Sequence, residues 1–170
     1  MKRLLLLRHA KSDWQDPEVD DFDRPLSARG RRAGRLIGLS LARRTDPPAV
    51  VLCSPARRTR ETLALILPAL YGVPVVYEPL LYVFDAGPLL NLLRGLQAET
   101  ASVLVVGHNP ALGDLTLALA GPASDPAALA KARDKFPTGA LAELAIGRPW
   151  SDLEAACARL TAFTCPRDLE

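Results

Sequence analysis

The hydrophobic positions of the chain fall into alternating segments of two kinds. Residues 2–8 (KRLLLLR) hold an unbroken apolar run from Leu4 to Leu7, the pattern of a strand covered on both faces. Residues 10–27 are polar, carry Asp13, Asp16, Glu18, Asp20, Asp21 and Asp23, and predict a long loop. Over 28–44, Ala33, Leu36, Ile37 and Leu41 recur at helical spacing, with Arg29, Arg32 and Arg43 elsewhere on the wheel. That spacing predicts an amphipathic helix, which Gly34 and Gly38 weaken. Residues 49–53 (AVVLC) predict a second buried strand. Ser54-Pro55 then supplies an N-cap and a first-turn proline for a helix over about 55–70. Residues 73–77 suit a short strand, 86–97 a helix with Leu89, Leu90, Leu93 and Leu96 on one stripe, and 102–107 (SVLVVG) another strand. A helix over 111–120 follows Asn109-Pro110. Residues 122–139 read as a loop with a short helical piece, and strands near 140–146 and 159–163 close the sheet.

Strands that alternate with helices imply an α/β fold. We expect a three-layer α/β/α sandwich with a mostly parallel central sheet, built as one domain over 1–170. In such folds a ligand sits beyond the carboxyl ends of the strands, at a topological switch point. The chain has two histidines, His9 and His108, and each follows directly on a predicted strand.

Composition narrows the function. The chain of 170 residues is 49% apolar and 24% charged, ordinary values for a globular protein. The Leu4–Leu7 run lies between Arg3 and Arg8, far short of the ~20 apolar residues that span a membrane and too short for a signal-peptide core. We therefore expect a cytoplasmic protein without a membrane partner. Three cysteines (Cys53, Cys157, Cys165) without a CxxC spacing do not make a disulfide framework. A net charge of +2 and 5% aromatic content argue against nucleic acid as a partner, even with an arginine-rich helix at 28–44.

Four segments could carry chemistry. Arg8-His9 places an imidazole beside a guanidinium at a strand end. A neutral imidazole is a nucleophile toward phosphorus, and neighbouring cations disfavour its protonation while they bind the phosphate. In Ser54-Pro-Ala-Arg-Arg58-Thr-Arg-Glu-Thr62, Arg58 and Thr62 share a helix face, whereas Arg57 and Arg60 point to solvent. Gly107-His108-Asn109-Pro110 presents the second histidine at a strand-to-helix junction. Arg24-Pro25-Leu26-Ser27 offers a further cation and a helix cap. Each segment alone has a purely structural reading; together they make an anion trap suited to a transferring phosphoryl group. There is no Walker loop, no HExxH and no Cys/His ligand cluster, and a zinc site would need about two more ligands. No metal or other cofactor is expected.

The set Leu-Arg8-His9-Ala10-Lys11-Ser12, Arg24-Pro25-Leu26-Ser27-x-x-Gly30, Ser54-x-x-x-Arg58-x-x-x-Thr62 and Gly107-His108-Asn109 resembles the histidine phosphatase superfamily, the phosphoglycerate-mutase-like or RHG-motif group. Order and spacing match over about 1–120, and the short chain with its RPLS element is most similar to the SixA-like phosphohistidine phosphatases. The resemblance implies a phosphoglycerate-mutase-like fold and a phosphatase. It implies that His9 accepts the phosphoryl group, that Arg8, Arg58 and His108 surround it, and that Arg24 lines the pocket with Ser12 and Asn109 as neighbours. Residue 10 is Ala where the broad family has Gly, a swap common in the SixA-like branch. Broad-family members also carry a general-acid carboxylate after the third strand. Here Tyr82 falls at or beside that position, flanked by Glu78 and Asp85 out of register. A missing acid favours a phosphohistidine protein over an alkyl ester, since an alkoxide needs an acid and an imidazole does not. A small-molecule phosphomonoester phosphatase is the alternative, and a phospho-ligand binder without turnover is the reading from another class.

Overall fold

The computed structural model describes residues 1–170. Its sheet has six strands: β1 (Lys2–Arg8), β2 (Val50–Cys53), β3 (Val75–Tyr77), β4 (Ser102–Gly107), β5 (Leu141–Ile146) and β6 (Ala158–Thr164). They lie in the order β3-β2-β4-β1-β5-β6. The pairs β3/β2, β2/β4 and β4/β1 are parallel; β5 runs antiparallel to both of its neighbours. Five α-helices connect and cover the strands: α1 (Ala28–Ala42), α2 (Arg57–Ile66), α3 (Ala86–Arg94), α4 (Ala111–Leu119) and α5 (Pro126–Asp134).

The unbroken run in β1 has the expected cause. Leu4 and Leu6 point into a core shared with α3, α4 and α5, and Leu5 and Leu7 into a second core shared with α1 and α2. All four are fully buried, and each contributes ~1.5–3 kcal/mol through that burial. The strand alternation therefore feeds two helical layers from one sheet, which is the three-layer arrangement expected. Gly34 and Gly38, which weaken α1 as a helix, serve its packing. A Cβ at Gly34 would come within 2.5 Å of the Leu65 side chain, and one at Gly38 within 2.9 Å of the Leu65 carbonyl oxygen. These glycines let α1 lie directly on α2.

Element ends differ from expectation where local chemistry intervenes. The helix expected over 55–70 is α only across Arg57–Ile66 and tightens to a 3-10 turn at Leu67–Leu70, because Pro68 has no N–H to continue it. Ser54 is not its N-cap; that position is Ala56, which offers no side-chain hydrogen bond. The serine hydroxyl is used elsewhere, as described below. Ser27 does cap α1, accepting the Gly30 N–H at 3.0 Å.

Register brings the histidines together. Arg8 on β1 is the parallel partner of Gly107 on β4, so the next residues, His9 and His108, leave the sheet side by side. Cys53 on β2 pairs with Val106 on β4, which sets Ser54 at the same level. After β1 the chain passes to α1 on one face, and after β4 to α4 on the other. The cleft between those exits is the switch point.

Candidate active site

Three adjacent strand ends deliver His9, His108 and Ser54, and the first turn of α2 delivers Arg58. The His9 and His108 ring centroids are 5.4 Å apart. His9 Nδ1 lies 2.7 Å from the Ala10 carbonyl oxygen. A carbonyl only accepts, so Nδ1 carries the proton and Nε2 keeps its lone pair. That lone pair meets Arg58 Nε at 3.3 Å. Burial, with Arg58 and Arg8 adding to it, pushes the His9 pKa down to about 4. The ring is neutral at pH 7, the form that can attack phosphorus.

His108 is fixed in the opposite tautomer. Its Nδ1 accepts from Arg58 Nη2 at 3.3 Å, and its Nε2–H donates to Ser54 Oγ at 2.7 Å. Burial and then Arg58 lower its pKa to about 3. The Ser54 hydroxyl also accepts the Ala56 N–H at 3.4 Å, ahead of the first turn of α2. Thr62, one turn along from Arg58, accepts the Ala10 N–H at 3.0 Å and donates to the Arg58 carbonyl at 2.7 Å. It ties the His9 loop to the helix that carries Arg58.

Every nitrogen of Arg58 is engaged. Besides the two imidazoles, Nη1 donates to the Asp21 carbonyl oxygen at 2.6 Å and Nη2 to the Asp21 carboxylate at 3.0 Å. Tyr82 donates its hydroxyl to the same carboxylate at 2.5 Å. Burial pushes the Asp21 carboxyl up, but the Tyr82 bond and Arg58 outweigh it and hold the group below the usual carboxylate value. Asp21 is therefore an anion resting on the cation that a phosphoryl group would need. Nothing in the acidic stretch 10–27 singled it out in sequence from five similar neighbours.

Arg8 donates to the Phe136 carbonyl at 2.8 Å, while its Nε is buried without a partner. Arg24 is buried too, with its guanidinium 3.6 Å over the Trp14 ring, and its Nε is likewise unpaired. Arg24 acts by charge on Asp21, Arg8 on His9, and Arg58 on both. Two buried guanidinium donors without acceptors suit an incoming oxyanion, since such groups are rarely left unpaired. Ser12 is buried and bridges Leu26 through its backbone. Asn109 accepts the Gly113 N–H and donates to the Phe136 carbonyl, the group that also anchors Arg8. Glu78 accepts the Leu80 N–H, and Asp85 the Gly87 N–H. Each of those carboxylates caps a turn. No group of three or more His, Cys, Asp or Glu side chains is placed to hold a metal ion, and no helix is long and apolar enough to cross a membrane.

The profile of the histidine phosphatase superfamily (branch 1) matches residues 4–94, more than half of the chain. The chain belongs to this superfamily. A relative from Mycobacterium tuberculosis, itself uncharacterised, is 39% identical over 166 residues, 95% of this chain and 100% of its own. Among solved structures of histidine phosphatases, a proposed SixA phosphohistidine phosphatase from Nakamurella multipartitia superposes with a TM-score of 0.83 at 32% identity, covering 97% of this chain and 96% of that one. The protein histidine phosphatase SixA complexed with tungstate gives a TM-score of 0.79 at 26% identity, covering 99% of each chain. The chain is thus a SixA-like member with the phosphoglycerate-mutase-like α/β fold that its sequence pattern implied.

Proposed function

We propose that the protein is a metal-independent phosphatase that removes the phosphoryl group from histidine on a protein, through a phosphohistidine intermediate at His9. The observation that carries this reading is the fixed tautomer of His9. Its Nδ1–H is held by a backbone carbonyl, and its Nε2 lone pair faces the guanidinium of Arg58.

In the first step His9 Nε2 attacks phosphorus in line, and the bond from phosphorus to the substrate nitrogen breaks. The substrate imidazole, protonated by solvent on its far nitrogen, departs neutral. Arg58, Arg8 and His108 balance charge on the equatorial oxygens, with Arg24 at the pocket wall. In the second step water attacks phosphorus, the P–Nε2 bond breaks, the proton passes to solvent or product, and inorganic phosphate leaves. Thr62, Ser54 and Asn109 position these groups.

The substrate preference rests on the absence of a poised acid. Glu78 and Asp85 are spent on caps, and Asp21 is ionised on Arg58. An alkoxide leaving group would lack the ~10²–10⁴ that a general acid supplies, whereas a protonated imidazole has a conjugate-acid pKa near ~6.5 and leaves unaided. The test is phosphate release from a phosphohistidine-bearing protein and from glycerol phosphate, side by side with chelator, using wild type and His9→Ala. Release from the phosphohistidine protein that persists in chelator and vanishes in His9→Ala is the expected result. Preference for the ester would make the protein a metabolite phosphatase.

A further inference from the structure

A groove of about 630 Å³ opens beside the pocket, between α1, the end of α5 and the turn after β6. It begins at Lys11, two residues beyond His9, and passes Pro137 and Thr138, which follow the carbonyl that anchors Arg8. Six cations line it, Lys11, Arg29, Arg32, Lys131, Lys135 and Arg167, against the carboxylates of Asp134 and Glu170. Of the six, Lys131 alone has a carboxylate partner, Asp168 at 3.1 Å. The rest are exposed and form no salt bridge. With a net charge of only +2 for the whole chain, the surplus is gathered in this groove. Arg29 and Arg32 sit three apart on α1, a like-charge placement that disfavours the folded chain unless an anion answers it.

The phosphoryl chemistry does not use these cations. We propose that the groove docks an acidic segment flanking the phosphorylated histidine of a protein substrate. The proposal rests on the function argued above and deepens it. Charge complementarity chooses the acidic partner. The pocket mouth argues for a protein: Trp14, stacked on Arg24, is 63% exposed, and Phe22 and Phe84 are exposed beside Tyr82. Aromatic side chains and arginines are the enriched anchors of protein interfaces. Long, mobile cations at the rim act chiefly on encounter rate and selectivity.

The test uses two synthetic peptides, each with one histidine phosphorylated by phosphoramidate, flanked in one by glutamates and in the other by lysines. Free phosphohistidine is the control substrate. Wild type should prefer the acidic peptide by about tenfold or more in kcat/KM, and rising salt should erode that preference. Arg32→Glu with Arg167→Glu should abolish or invert it, the matching alanine pair should reduce it, and free phosphohistidine turnover should stay unchanged. No preference in wild type, or the same preference in both double variants, overturns the docking. So does tripolyphosphate binding that needs these arginines without any peptide preference, since it would assign the groove to a free polyanion. If wild type turns over glycerol phosphate but no phosphohistidine substrate, the underlying function fails and the docking with it.

Discussion

Replacing Asp21 with Asn tests how the pocket is kept ready for an anion. Arg58 is nearly buried, with 5% of its side chain exposed, but the Asp21 side chain is 44% exposed. Water screens the pair, so its net worth is ~0.2–1 kcal/mol rather than the larger value of a buried bridge. A phosphoryl group must take the Arg58 donors from Asp21, and it must also approach that carboxylate. Asn removes the competing charge and the repulsion, yet its amide oxygen still accepts from Arg58 or Tyr82, so the loop keeps its place. At 1.4 kcal/mol per tenfold, oxyanion affinity should rise by about 1.4- to fivefold. Calorimetric titration with tungstate at fixed ionic strength reads this directly. Turnover of a phosphohistidine substrate should stay within about threefold of wild type, because an ionised Asp21 has no proton to give. Weaker tungstate binding would refute the competition. A fall of ~10² or more in kcat with intact binding would make Asp21 a proton-transfer group and refute its assignment as a resting anion.

Arg58→Ala should lower kcat/KM by about 10²–10³ through loss of the phosphate clamp. Because Arg58 helps depress the His9 pKa from about 6.5 to about 4, its removal should raise that pKa, read from imidazole NMR shifts; an unmoved pKa would contradict the electrostatics. The same depression links pH to folding. Between about pH 6.5 and 4 the unfolded His9 binds a proton that the folded one refuses, so stability falls as pH drops through that window. A His9→Asn variant should lose less stability there in urea titrations at pH 7, 5 and 4, and parallel losses would count against it. Gly30→Ala would place a Cβ 2.0 Å from the Lys11 carbonyl oxygen. It should cost about 1–3 kcal/mol in urea unfolding, and an unchanged midpoint would show that the His9 loop can yield there.

Much of this architecture was legible in sequence because its causes are local. A strand buried on both faces must be apolar throughout, so β1 and β4 were unmistakable, and Ser27 caps α1 as its position suggested. The pairing of Arg8-His9 with Gly107-His108 could be anticipated because parallel strands end at one edge of a sheet. The order of the six strands and the reversed direction of β5 could not, since pairing between distant segments leaves no local periodicity. Ser54 misled because α2 starts at Arg57, later than Ser54-Pro55 suggested; its hydroxyl lies ahead of the cap position and meets His108 and the Ala56 N–H instead. Asp21 was hidden among other acidic loop residues and became visible only when the fold carried it to Arg58. Glu78 and Asp85 carried the right functional group, and backbone amides claimed both.

In the proposed reaction His9 takes the phosphoryl group on Nε2. A single turnover with a ³²P-labelled phosphohistidine protein, quenched in alkali, would trap the phosphoenzyme, and peptide mapping with ¹H–³¹P correlation would place the label. An acid-labile, alkali-stable phosphohistidine at residue 9, bonded through Nε2, is the expected result. Label on Nδ1 of His9, on His108, or on no residue of the enzyme while phosphate is released would contradict it.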